Sequence, residues 1–160
     1  MHQECKDRLA FVNSTLQRVT DVPNWVRNNG TLELLAPRYE ILPVLALGNS
    51  IATPIDGITG NVIVVKDFAE LEQRQKEVQG QIVLFNAIFT SYHETVIYRV
   101  QGAIEASKYG AVASLVRSIT PFSLQTPHAG VMRYSDEYPP IPHAAITLEA
   151  ADYFQVCGLM

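Results

Sequence analysis

Gly80-Gln81-Ile82-Val83-Leu84-Phe85-Asn86, then Tyr98-Arg99-Val100-Gln101-Gly102-Ala103-Ile104-Glu105-Ala106-Ser107-Lys108-Tyr109-Gly110, then Ala111-Val112-Ala113-Ser114-Leu115-Val116-Arg117-Ser118 reads as strand, crossover helix, strand. The run from Ile82 to Phe85 has the length and β-branched content of a buried strand. Val100, Ala103, Ile104, Ser107 and Ala111 recur at helical spacing. Gly110 sits where a left-handed residue would end the helix and turn the chain into the strand of Ala111 to Val116. The product is a parallel βαβ unit. Gly102, Ala103, Ala106 and Ser107 leave one side of the helix without bulk, so it can approach a sheet closely. No nucleophile with a neighbouring base lies on it, which points to a packing or interaction module.

The chain around this unit has 160 residues, enough for one domain with a real core. With 48% hydrophobic and 18% charged residues, its composition is that of a globular domain and excludes a disordered one. Twelve basic residues against 16 acidic ones give a formal charge of −4, and no basic stripe interleaved with aromatics argues for nucleic acid. No apolar run approaches the ~18 residues of a membrane span. The opening Met-His-Gln-Glu-Cys-Lys-Asp-Arg is too polar for a secretory signal. Cys5 and Cys157 are too few and too far apart for a disulfide framework or a CxxC metal pair, and read as free thiols. The sequons at Asn13 and Asn29 matter only in a secretory compartment. Asn29, within Asn28-Asn29-Gly30, has the exposed turn setting that a glycan needs.

Leu9, Val12, Leu16 and Val19 predict a short amphipathic connector helix within residues 1–20. Residues 24–26 and 31–35 flank the Asn-Asn-Gly turn and predict a hairpin with Trp25 as a buried anchor. Pro37 and Pro43 bracket an extended piece that continues through residues 44–47. Residues 51–60 are a loop by their turn chemistry, and residues 61–66 are a strand. Asp67 with Glu70 opens a capped helix bearing Leu71 and Val78 and stopped by Gly80, its polar face solvated. Residues 120–142 lack a period and are rich in Pro, Ser, His and Tyr, a length of loop that tends to be functional. Phe122, His128, Tyr134 and Tyr138 are its candidate interaction residues. Residues 141–146 restart an extended segment, and Thr147 caps a last helix through Phe154.

His93, His128 and His143 have no compact ligand spacing, so the residues support no metal site. Asp136 and Glu137 are adjacent and project to opposite sides of an extended chain. Ser91-Tyr92-His93-Glu94 holds a hydroxyl, an imidazole and a carboxylate, but triads are assembled in three dimensions and not from neighbours in sequence. Gly57, Gly60 and Gly102 do not form a phosphate loop opening a helix. No catalytic residue follows from the pattern.

Taken in order, Pro23-x-Trp25-x-Arg27, Pro37-Arg38, Leu45-x-Leu47-Gly48-x-Ser50-Ile51-x-Thr53-Pro54, Gly57-Ile58-Thr59 and Gly80-x-Ile82-Val83 resemble a known module. So do Tyr98-Arg99-x-Gln101-Gly102-Ala103-x-Glu105-Ala106, Gly110-Ala111, Ala113-Ser114-Leu115-x-Arg117-Ser118, Phe122-Ser123, Pro127-His128-x-Gly130 and Ile141-Pro142. The module is the protease-associated (PA) domain of carboxypeptidase Q-like zinc metallopeptidases, and the resemblance runs from about Pro23 to Tyr153. It implies an α/β fold: a PA-like β-sandwich or open barrel with two or three flanking helices and the βαβ unit, over residues 21–160. In such proteins a peptidase domain binds two zinc ions through motifs that follow the PA domain. None of those motifs is present, so no catalytic or metal residue carries over and no cofactor is expected for this chain. The resemblance further implies a secreted or lysosomal glycoprotein and a parent that cleaves dipeptides or small peptides. The partner is then the parent's peptidase domain, in a chain shortened at its C-terminal end and inactive alone. A stand-alone protein-interaction module of the secretory pathway is the alternative expectation. Gly80, Gly102, Gly110 and Trp25 are expected to be structural.

Overall fold

The computed structural model describes residues 18, 20–22, 24–123 and 125–157. The predicted connector helix, Cys5 and Asn13 lie outside them. Strands β1 (Leu32–Leu34), β2 (Glu40–Leu42), β3 (Val44–Ala46) and β4 (Val62–Val65) come first, followed by helices α1 (Phe68–Gln73) and α2 (Gln75–Val78). Then come β5 (Ile82–Phe85), α3 (Tyr92–Lys108), β6 (Ala113–Arg117), β7 (His143–Ile146) and α4 (Leu148–Cys157). A five-stranded sheet in the order β3-β7-β6-β5-β4 forms the centre, and β1 and β2 form a separate two-stranded sheet. Strands β4, β5, β6 and β7 are mutually parallel, and only β3 runs against its neighbour β7. This is the expected α/β class, and β5-α3-β6 is the expected parallel crossover unit.

Strand alternation sorts the core into two layers. Val65, Val83, Phe85, Val116 and Ala145 face one side, where they meet Leu71, Val78, Ala103 and Ala106 from the helices. Val64, Leu84, Leu115 and Ile146 face the other, against Ala150, Ala151 and Phe154 of α4 and against Leu34 and Leu42 of the two-stranded sheet. Because both faces are covered, the parallel strands read as continuous apolar runs with no polar alternation. An arginine guards each sheet edge. Arg74 Nη1 donates to the Val64 carbonyl at 2.8 Å on the outer side of β4, and Arg27 Nε donates to the Ala46 carbonyl at 2.9 Å on the outer side of β3. Each takes an acceptor that another chain would otherwise use to extend the sheet.

The buried face of α3 is Thr95, Arg99, Gly102, Ala103, Ala106 and Ser107, rotated from the apolar stripe the spacing suggests. Small size decides it, because a Cβ on Gly102 would lie 3.0 Å from the Phe85 ring and 3.3 Å from His143 Cε1. The close approach of helix to sheet therefore depends on that glycine. Gly110 has φ of 80° and Gly80 has φ of 74°, the left-handed conformation that stops each helix. Ser91 caps α3, accepting from the Glu94 N–H at 3.3 Å, while the Glu94 carboxylate takes the Ser91 and Thr90 hydroxyls. The Ser-Tyr-His-Glu run is thus a capping motif.

Three expectations are corrected. Residues 24–26 form no strand; β1 pairs with β2 instead, and Trp25 is half-buried, its Nε1 donating to the Ser50 carbonyl at 3.0 Å. The helix after Asp67 breaks at Arg74, whose side chain is drawn to β4 and to Glu77 and so leaves the solvated face assigned to it. The extended piece around Pro43 divides between two sheets, since proline supplies no N–H to carry one ladder through. Asp67 does cap α1, accepting from the Glu70 N–H at 2.7 Å, and Thr147 caps α4, which runs on to Cys157.

Candidate functional site

Residues 120–142 are tied down by their backbone despite having no period. At the carboxyl end of β6, Ser118 Oγ donates to the Ile146 carbonyl at 2.6 Å and accepts the His128 N–H at 2.7 Å. His128 Nδ1 lies 3.1 Å from the Ile119 carbonyl, closing the first half of the loop on itself. Gly48 then forms a bridge with Val131: its N–H donates to the Gly130 carbonyl at 2.7 Å and its carbonyl accepts the Met132 N–H at 3.0 Å. Met132 is fully buried in the core below. In the second half, Tyr134 Oη donates to the Ile141 carbonyl at 2.8 Å and accepts the Ile51 N–H at 2.9 Å. Ser107 Oγ of α3 takes the Pro139 carbonyl.

The four candidate interaction residues therefore divide. Phe122, 64% exposed, and His128, also exposed, sit beyond the carboxyl end of β6. Tyr134 and Tyr138 lie toward the amino ends of β6 and β7, in an open groove with Ile51, Asp136 and Pro140. They are two surfaces separated by the length of a strand, not one patch. Both polar valences of the Tyr134 hydroxyl are used internally, which makes it a strut. Tyr138 is half-buried and its hydroxyl donates to Glu137 Oε1 at 3.0 Å; that hydrogen bond and the nearby carboxylate raise its pKa. Ile88 at 78% and Val131 at 61% exposure are large apolar residues that the pattern did not single out. Ile88 follows β5 and shares the carboxyl end of the parallel strands with Phe122, the end at which open α/β sheets present ligands and partners.

Two buried polar groups lie under α3. Arg99 is 5% exposed; its Nη2 donates to the Tyr92 hydroxyl, its Cζ lies 5.4 Å from the Tyr92 ring centroid, and its Nε has no partner. His143 is 1% exposed, and neither ring nitrogen makes a well-formed hydrogen bond. Burial lowers its pKa to about 4; backbone groups of Ser114, Tyr98 and Arg99 favour the protonated ring but do not offset desolvation.

Among the described residues no cluster of three or more His, Cys, Asp or Glu side chains is placed to hold a metal ion. His93 is on the first turn of α3, His128 in the loop and His143 in the core, so the fold does not bring the three together. Ser91 and Glu94 are engaged in capping, which accounts for their proximity to His93. Cys157 is a half-buried free thiol, and Asn29 is exposed. No helix among the described residues is long and apolar enough to cross a membrane.

The fold has counterparts among solved peptidase structures. The fold matches a peptidase M28 precursor from Shewanella amazonensis with a TM-score of 0.80 at 30% identity, over 86% of this chain and 33% of that one. It also matches a zinc aminopeptidase from Bacillus subtilis with a TM-score of 0.56 at 19% identity, covering 81% of this chain and 28% of that one, a likeness of fold alone. No family model matches the chain. In sequence, 131 residues are 52% identical to carboxypeptidase Q of Xenopus laevis and 47% identical to that of Homo sapiens. The match covers 82% of this chain and 28% of each relative's length. Over this segment the chain is a homologue of carboxypeptidase Q.

Proposed function

We propose that residues 21–160 act as the PA-type domain of a carboxypeptidase Q-like dizinc metallopeptidase, flanking or covering a catalytic portion that the described residues do not supply. The observation that carries this reading is the 47–52% identity over 131 residues that amount to 28% of each relative, joined to a fold match at a TM-score of 0.80. On this reading the parent cleaves dipeptides or small peptides in a secretory or lysosomal compartment, and residues 1–20 lead into the domain. Its contribution is a surface. The exposed Phe122, Ile88 and His128 at the carboxyl end of the sheet, and the Tyr138 groove at the other end, are the faces available to the peptidase portion.

The test is dipeptide hydrolysis in the presence of zinc, measured for this chain alone and for this chain mixed with the peptidase portion of the Xenopus relative. Association of the two, weakened by Phe122→Ser, with turnover only in the mixture, is the expected result. Chelator-sensitive hydrolysis by this chain alone would overturn the reading. So would a failure of the two to associate, which favours a stand-alone interaction module.

A further inference from the structure

We propose that Arg99 and Tyr92 form a binding site for a carboxylate. Arg99 as a residue is 5% exposed and its Nε is buried without a partner, yet none of the ion pairs among the described residues includes it. Buried cations in proteins are paired, because an isolated one forfeits its hydration without recovering it. The cation–π contact with the Tyr92 ring and the Nη2 bond to the Tyr92 hydroxyl recover only part. The nearest carboxylate along α3, that of Glu94, is turned to Thr90 and Ser91.

One side of the guanidinium is covered by backbone. Gly130 crosses over the guanidinium so closely that a Cβ there would lie 2.6 Å from Cζ and 2.8 Å from Nε. The guanidinium's solvent-facing neighbour is Tyr92, 55% exposed, whose hydroxyl accepts from Arg99 and has no acceptor for its own hydrogen among the described residues. A carboxylate arriving at that edge receives an O–H from Tyr92 and an N–H from Arg99, a charge-assisted pair of donors. The same chemistry is offered by the C-terminus of a peptide and by an Asp or Glu side chain of a neighbouring protein segment.

Thermal melting of this chain at neutral pH tests the site, with N-acetylglycine as a peptide C-terminus, Nα-acetylaspartamide as a side-chain carboxylate and sodium chloride as control at equal ionic strength. At least one carboxylate should raise the melting temperature by a few degrees in a saturable way. Tyr92→Phe should weaken that rise several-fold and Arg99→Met should abolish it. Whichever carboxylate has the lower apparent Kd identifies the source. Arg99→Met should melt in chloride no lower than the parent, since it removes a buried unpaired charge of similar shape. If neither carboxylate shifts the parent chain beyond chloride, or if Tyr92→Phe responds as the parent does, the proposal fails and Arg99 is a strut beneath the Gly130 loop.

Discussion

Acidification should destabilise this fold through His143, by an amount set by the depth of the residue. The imidazole lies beneath α3 with its Cε1 against the backbone of Gly102, and burial lowers its pKa from 6.5 to about 4. In the unfolded chain it takes a proton near its ordinary pKa; in the folded one it resists until the pH has fallen to about 4. Between those values the unfolded state holds the extra proton, so stability falls as pH falls, by up to ~1.4 kcal/mol per pH unit. The penalty is absent above about pH 6.5 and complete below about pH 4, where it reaches roughly 3 kcal/mol. From about pH 7 to about pH 5 the expected loss is ~2 kcal/mol, a large share of the stability of a small domain.

The assay is urea unfolding across that range for the parent chain and for His143→Gln, which removes the titration. Lowered carboxylates such as Glu77, Glu94 and Glu149 also shed stability in acid, but they do so in both proteins. The difference in pH slope therefore isolates the histidine, whatever the substitution does to absolute stability. Equal slopes, or an imidazole NMR titration of His143 centred near pH 6.5, would refute the reasoning.

Gly110→Val should destabilise by more than ~1 kcal/mol in denaturant melts, because a β-branched residue tolerates a φ of 80° poorly and would meet the Gln79 side chain. Gly102→Ala places a methyl 3.0 Å from the Phe85 ring and should cost about 1–3 kcal/mol by the same measurement. Ser91→Ala removes the α3 cap and should lower stability by about 1 kcal/mol. Expressed through a secretory pathway, the chain should carry a glycosidase-sensitive mass increment that Asn29→Gln removes.

The crossover unit was legible because its signals are local: the Ile82 to Phe85 run, the left-handed glycine at Gly110, the Asp67 and Thr147 caps. What was illegible depended on partners distant in sequence. Nothing near Arg74 marks its bond to the Val64 carbonyl, and the helix breaks at that residue although its own residues favour continuation. The strand partner of Thr31 to Leu35 was misread for a related reason. Asn28-Asn29-Gly30 is a strong turn signal, but Trp25 is held instead by its Nε1 bond to the carbonyl of Ser50, distant in sequence. The capping motif at Ser91 was present in plain sequence as Ser-x-x-Glu, and the intervening histidine gave it the look of chemistry.

The buried face of α3 bears most directly on function. Periodicity assigns Val100 and Ile104 to the core because it weighs hydrophobicity, whereas the fold selects for thinness: Gly102, Ala103 and Ala106 let the helix settle on Phe85 and His143. A helix lowered that far carries its polar residues down with it, and Arg99 and Ser107 are buried as a consequence of position. Ser107 finds the Pro139 carbonyl and is satisfied, but Arg99 finds only a tyrosine. The same close packing that closes the sheet face thus leaves a charged group short of a partner beside the loop at Gly130. A lysine there would offer no flat face for the Tyr92 ring and no fork of donors. Arg99→Lys should therefore retain the charge while losing the paired geometry, separating recognition of a carboxylate from simple attraction to one.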